Sequence, residues 1–326
     1  MNEQLVERGD LDELTRQVDR LCEERDWDGL VDLRDRCRLA LRRGKQLWAV
    51  AAHVEYRVAL EAPGPWATRM VVEGGGRFSF GPLPEVAAST HSWAELADGL
   101  SGPPGALAAH ERVVRGEDLS GDAAALALPP VFELPLVLQS WEPAYAVAEY
   151  RPDKADFPAP PLPPSRPDKA IGGAERADDP ESVRSLTDLV GPWVTESNGR
   201  AEATVVRGSA ADAIAALGVP DPRIHTADID VATAFSVMAW AGASGGAHGR
   251  RRGAAAGRFG AWWTAAALAG LLDEWPVAPP EMGEAAAELH WFVWDAGEPD
   301  TGWSFRLAVE DPAEHLAWAV TATDAV

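Results

Sequence analysis

A chain of 326 residues with 46% apolar side chains and 14 tryptophans has enough apolar surface to bury for two ordinary domains, which excludes wholesale disorder. Its 51 acidic against 29 basic residues leave a formal charge of −22, which repels phosphate backbones and anionic membranes and disfavours nucleic acid as a partner. Cys22 and Cys37 are too few for a disulfide framework or a zinc site, and both fall on apolar helical stripes, where a thiol behaves as a small hydrophobe.

The N-terminus opens with Asn2, Glu3 and Gln4 rather than an apolar leader, and no apolar run reaches the length of a bilayer span. The expected setting is therefore the cytoplasm, with no membrane attachment. Lysine is confined to Lys45, Lys154 and Lys169 amid abundant Arg, Ala and Gly, a bias of GC-rich bacterial genes.

In chain order, Leu11, Leu14, Val18, Leu21 and Cys22 recur at helical spacing behind Asp10 as N-cap, with Glu13 at the capping-box position. Leu30, Leu33, Cys37 and Leu41 predict a second helix closed near Gly44, and Leu47, Val50, Ala51, Val54 and Val58 a third that stops before Pro63. Short links between the three predict antiparallel packing in a small bundle. Ser92 and Glu95 form another capping-box pattern, and residues 104–115 predict a helix ending at Gly116. From 131 to 150, β-forming residues are interrupted by prolines, which limits any strand to short or edge pieces.

Residues 151–180 hold eight prolines, and the pentapeptide Arg-Pro-Asp-Lys-Ala occurs at 151–155 and again at 166–170. This composition reads as a semi-rigid polyproline II spacer, so the expected organisation is a mainly helical part at 1–150, a linker at 151–180 and a second part at 181–326.

Beyond it, Ser197-Asn198-Gly199 between extended segments predicts a hairpin over 193–206. Helices follow at 209–217, closed by Gly218 and Pro220, at about 230–241 and at about 257–272. A second hairpin joins 290–294 to Trp303, Phe305, Leu307 and Val309 through the turn Glu298-Pro299-Asp300-Thr301-Gly302. The fold class read from this order is α+β, with antiparallel hairpins packed on helices in the second part.

The segment most able to carry chemistry is the loop 244–253 with Arg258 beyond it. Ser244, Gly245, Gly246, His248, Arg250, Arg251, Arg252 and Arg258 combine glycines that let backbone N–H groups approach a ligand with guanidiniums that grip carboxylate or phosphate. The competing account pairs these arginines with the chain's own surplus of Asp and Glu. Neither a P-loop nor a dinucleotide fingerprint fits, since no Lys follows the final glycine and no strand frames the segment.

Gly242-Ala243-Ser244-Gly245-Gly246 also matches the nucleophile-elbow pattern, with Asp273, Asp295, His290 and His315 following. An elbow needs a strand before the serine, whereas 230–240 reads as a helix. His225, Asp228 and Asp230 make a possible metal triplet that helix capping explains more cheaply, so no metal and no cofactor is assigned. The Trp262–Trp263 pair and Trp291, Trp294 and Trp303 are expected in cores.

Residues 47–57 (LWAVAAHVEYR), 244–247 (SGGA), 257–262 (GRFGAW) and 315–320 (HLAWAV) together resemble an actinobacterial family of uncharacterised proteins. The resemblance implies a bacterial cytosolic setting and supplies no activity or site residues. The favoured reading is a non-enzymatic binding or adaptor module that offers the Arg/Gly-rich loop to a protein partner or small anionic ligand. The alternative is an enzyme, such as a hydrolase, with its site at 244–258.

Overall fold

The computed structural model describes residues 2–170, 172–219, 221–297 and 302–325. The chain divides into two compact units, Met1–Val131 with Ala148–Phe157, and Phe132–Val147 with Pro158–Val326. The fold class is α+β with antiparallel sheets, as the order of elements implied.

The first unit is helical: α1 (Asn2–Arg8), α2 (Leu11–Glu23), α3 (Trp27–Arg42), α4 (Trp48–Glu61), α5 (Gly64–Ala67), α6 (Leu83–Thr90), α7 (Trp93–Leu96), α8 (Gly102–Val114) and α9 (Ala123–Leu126). Local chemistry sets the ends of these helices. The Asp10 carboxylate accepts the Glu13 N–H at 3.0 Å and Asp26 accepts that of Gly29 at 2.9 Å, satisfying donors that a helix start leaves open. Gly44, at φ +89°, turns α3 off in the left-handed region that glycine tolerates, and its N–H reaches Leu41 O at 2.9 Å. Both halves of the Ser92/Glu95 capping box form at α7.

Apolar stripes of α2, α3 and α4 supply a fully buried core, including Leu14, Val18, Leu30, Leu33, Cys37, Val54 and Val58. The hairpin β1 (Glu149–Arg151) and β2 (Lys154–Asp156) completes this unit, so the first copy of the repeated pentapeptide folds around a tight turn. Tyr150 donates its hydroxyl proton to the buried Glu85 carboxylate at 2.7 Å.

In the second unit the elements are β3 (Arg166–Lys169), β4 (Glu175–Arg176), α10 (Pro180–Leu189), α11 (Gly191–Thr195), β5 (Arg200–Arg207), α12 (Ala210–Ala216), β6 (Arg223–Ile229), α13 (Val231–Ala243), α14 (Ala254–Leu268), α15 (Pro279–Glu288), β7 (His290–Asp295), β8 (Gly302–Asp311) and β9 (Leu316–Ala325). One antiparallel sheet runs β3-β6-β7-β8-β9-β5-β4. The proline-rich stretch read as a spacer contributes both of its edge strands. Pro167 lies in β3 opposite His225, and an edge strand is where a residue lacking an N–H costs least.

The central strands β5, β7, β8 and β9 carry buried apolar residues on both faces, whereas the edge strands β3 and β4 are exposed. On one face α12 covers Val206, Ala308, Ala317 and Ala319, with Trp294 and Ile214 in the same cluster. On the other, Phe305, Leu307, Val309, Trp318 and Val320 are buried with the α10, α13 and α14 layer. Trp318 fixes this layer by donating its indole N–H to Asp179, the N-cap of α10, at 2.9 Å.

One expectation is corrected and one strand is added. The hairpin over 193–206 does not form: Trp193 lies in α11, with Pro192 in its first turn, and only the second arm becomes a strand. Asn198-Gly199 instead closes helix to strand, with the Gly199 N–H donating to Trp193 O at 2.8 Å. The strand β6 at 223–229, not read from the sequence, carries His225 and Asp228. Asp228 pairs with Arg166 at 2.8 Å and Asp230 caps α13, accepting the Thr233 N–H at 2.8 Å. Among the described residues no group of His, Cys, Asp and Glu is placed to hold a metal, and no helix is long and apolar enough to cross a membrane. The second hairpin pairs β7 with β8 antiparallel, Trp291 opposite Val309 and Val293 opposite Leu307, whereas Pro220 and residues 298–301 of the expected turn lie outside the described residues.

Candidate functional site

The Arg/Gly-rich loop joins α13 to α14. Ser244 ends α13 in an extended conformation, and its Oγ accepts the Gly246 N–H at 2.9 Å. The residue is 2% exposed and follows a helix, so the strand that a nucleophile elbow requires is replaced by α13.

Glycine is required where the loop folds back on itself. A side chain at Gly245 would overlap the Arg250 backbone, and one at Gly246, held at φ +76°, would overlap the Asp324 carboxylate. The N–H groups that such a glycine-rich loop could offer an anion are taken by the protein's own acceptors, two of them carboxylates. Ala247 N–H donates to Asp324 Oδ2 at 2.6 Å, and Arg250 N–H to Glu196 Oε2 at 3.3 Å. His248 N–H donates to Ser197 Oγ at 3.0 Å, and Arg252 N–H returns to Ala243 O at 2.8 Å. Asp324 is itself 1% exposed, so this contact is out of competition with water.

The eight predicted residues accordingly separate into different environments. Ser244, Gly245 and Gly246 shape the loop backbone. His248, Arg250 and Arg252 are exposed on it, and Arg251 is half-buried. Arg250 lies 3.8 Å from Glu196 in a solvent-facing pair, a contact of little energetic weight.

Arg258 is elsewhere. It sits inside α14 with its side chain fully buried, forked onto Glu142 through Nε–Oε1 at 2.7 Å and Nη2–Oε2 at 2.8 Å. Its remaining donors go to Pro135 O and Val137 O, at 2.9 and 3.1 Å. Glu142 also accepts from Trp262 Nε1 at 2.9 Å and from the Tyr145 hydroxyl at 2.7 Å. These bonds organise the segment 132–147, which has no regular secondary structure of its own.

The profile of a family of unknown function, DUF6183, matches residues 12–325. The chain belongs to that family. The match runs from within α2 to the end of β9 and includes the four stretches on which the resemblance to a family of uncharacterised proteins rests. No curated protein matches the chain, and no solved structure does. For this DUF6183 chain the site must therefore be read from its own residues.

The participants that sequence reasoning missed are Asp324, Glu196, Ser197 and Glu142. Asp324 reaches Ala247 across 77 positions and Glu142 reaches Arg258 across 116, so no local spacing connects them.

Proposed function

We propose that the protein is a non-catalytic binding module in which His248, Arg250 and Arg252 present positive charge to an anionic group, carboxylate or phosphate, on a partner protein or small ligand. The observation that carries this reading is the fixed backbone beneath those side chains. Four N–H groups of the loop, those of Ala247, His248, Arg250 and Arg252, are bonded to groups of the second unit. A loop already ordered loses little further entropy when its side chains engage a ligand. In a chain of net charge −22 the cluster is also a local reversal of sign, which steers an anion to one place. The general repulsion disfavours nucleic acid, and the two buried free thiols suit action in the reducing cytoplasm.

Thermal-shift measurements against phosphate-containing metabolites, run beside pull-downs from lysate, test the proposal on the wild type and an Arg250→Glu/Arg252→Glu variant. A ligand or partner held by the wild type and lost from the variant is the expected result. If every ligand and partner treats the two proteins alike, the reading is wrong.

A further inference from the structure

The first unit carries a cavity of about 310 Å³ that is independent of the loop and is lined wholly by α3, α4 and the glycine-rich turn after α5. Its construction follows from helical spacing. Arg38, Leu41 and Arg42 share one face of α3, and Trp48, Ala51, Ala52 and Glu55 share one face of α4. Ala51 and Ala52, 4% and 7% exposed, leave room between the helices that larger side chains would fill. The third wall comes from Gly74, Arg77 and Phe78. Glycines bend the chain there through left-handed conformations, at φ +73° for Gly74 and +66° for Gly76.

The buried carboxylate of this cavity is already spent. Glu55, 3% exposed, is held by Arg38 Nε at 2.6 Å and accepts the Gly76 N–H at 2.9 Å. It ties the turn to the helix pair and neutralises Arg38. Arg42 and Arg77 differ: both are exposed, and neither has an ion pair or hydrogen bond among the described residues, although acidic side chains outnumber basic ones along the chain. Beside them stand two large aromatic residues that folding has left in water, Trp48 at 42% and Phe78 at 55% exposure, with ring centroids 4.1 Å apart. The Arg77 guanidinium lies 5.6 Å from the Phe78 centroid.

Exposed aromatic faces beside unpaired guanidiniums, at the mouth of a cavity at the small end of ligand-binding volumes, define one ligand chemistry. The ring surfaces favour a flat unsaturated group, by stacking and by removal of apolar area from water. Arg42 and Arg77 favour an anion attached to it, and guanidiniums both stack and hydrogen-bond. The geometry points to a binding site in the first unit for a small planar aromatic anion, a ring bearing carboxylate or phosphate, gripped by Arg42 and Arg77 and stacked on Trp48 and Phe78. Neither a ring alone nor an inorganic anion alone satisfies both halves of the site.

Isothermal titration calorimetry on the full chain tests this with four probes: indole-3-carboxylate and adenosine monophosphate as ring-bearing anions, adenosine as ring alone, and inorganic phosphate as anion alone. At least one ring-bearing anion is expected to saturate a single site, with adenosine and phosphate at least about tenfold weaker. Arg42→Gln, Arg77→Gln and Trp48→Ala change exposed side chains, and each is expected to weaken that ligand by about tenfold or more while leaving the circular dichroism spectrum unchanged. Arg250→Glu/Arg252→Glu is expected to leave it unaltered, which separates this site from the loop. The inference is overturned if neither ring-bearing anion saturates, if the ring or the anion alone binds as tightly, or if the three substitutions leave affinity intact. Preference between the two saturating probes tells a carboxylate ligand from a phosphate one.

Discussion

Arg258 and Glu142 form a two-pronged ion pair in which neither side chain has any exposure to solvent. Burial by itself would raise the Glu142 carboxyl, but the Arg258 hydrogen bonds and charge, with the Trp262 and Gln139 N–H donors, outweigh it and hold the group below the usual carboxylate range. Burial pushes the Tyr145 phenol well above its ordinary value, and the Glu142 charge acts in the same direction. Removing one partner strands a charge in the interior, so Arg258→Met and Glu142→Met are each expected to cost about 3–5 kcal/mol in urea unfolding of the second unit. The double variant is expected to recover much of that loss, because no orphaned ion remains. The sign with pH follows from the lowered carboxyl. Its stabilising contribution is complete above the unfolded value of about 4.3 and disappears as pH falls through the lower folded value. Acid pH should therefore destabilise the wild type relative to the double variant, because protonating Glu142 leaves Arg258 as a buried unpaired charge that the double variant lacks.

The loop makes a second prediction. Asp324→Ala removes the acceptor of the Ala247 N–H, and a hydrogen bond to a charged group is worth about 1.5–3 kcal/mol. Exchange of the Ala247 amide should accelerate by about tenfold to a hundredfold. Asp324→Asn keeps a carbonyl oxygen in reach and should lose less. Gly246→Ala should act like Asp324→Ala, since it combines a left-handed backbone with overlap on the same carboxylate. An Ala247 amide that exchanges at the wild-type rate in Asp324→Ala would show that the loop is held by its other bonds alone.

What was legible in the sequence was local. Asp10 as an N-cap, the Ser92/Glu95 capping box, and Gly44 and Gly116 as stops lie within a turn of the backbone groups they serve, so spacing alone reveals them. The Glu13 half of the expected Asp10 box does not form, and its carboxylate pairs with Arg8 instead. Strands β6 and β9 were not legible, because a strand is defined by its neighbours: β5 pairs with β9 across more than a hundred residues of chain. The repeated Arg-Pro-Asp-Lys-Ala shows the limit most directly. Its first copy turns a hairpin and its second forms an edge strand, so the surroundings decide between them. Asn198-Gly199 misled for the same reason. Its turn exists, but the residue before it that mattered was Trp193, whose complete burial holds the arm helical rather than extended. Of the loop, the sequence revealed the concentration of glycine and arginine. It hid Asp324 and Glu196, the carboxylates that occupy its backbone.

A third prediction concerns the crossing of α13 and α14. Replacing a helical glycine by alanine ordinarily gains up to about 1 kcal/mol in helix propensity. At Gly257 the added methyl would overlap the Ala239 carbonyl and lie 3.0 Å from the Ala243 side chain. The obstructing atom is helix backbone and cannot rotate away, so overpacking of about 1–3 kcal/mol outweighs the propensity gain. Gly257→Ala should therefore lower the urea midpoint of the second unit. A rise would mean that the two helices separate at little cost.

The thiols of the first unit give the last prediction. Cys22 is 6% exposed and Cys37 fully buried, and burial pushes them up to about 12 and about 11 respectively. At pH 8 both thiols therefore stay protonated in the folded chain, and packing blocks access to both sulfurs. A thiol-exchange reagent should therefore find no reactive cysteine in the native protein and both after denaturation. The same shift has a thermodynamic consequence. Below the unfolded value of about 8.5 both states are protonated and the thiols contribute nothing to the pH dependence. Above it the unfolded chain loses protons that the folded chain retains, so stability of the first unit falls by up to about 1.4 kcal/mol per thiol for each pH unit until the folded value is reached. Cys22→Ala/Cys37→Ala should flatten that alkaline slope even though truncating buried side chains lowers stability at neutral pH. If the slope persists unchanged in the double variant, groups other than these thiols produce it.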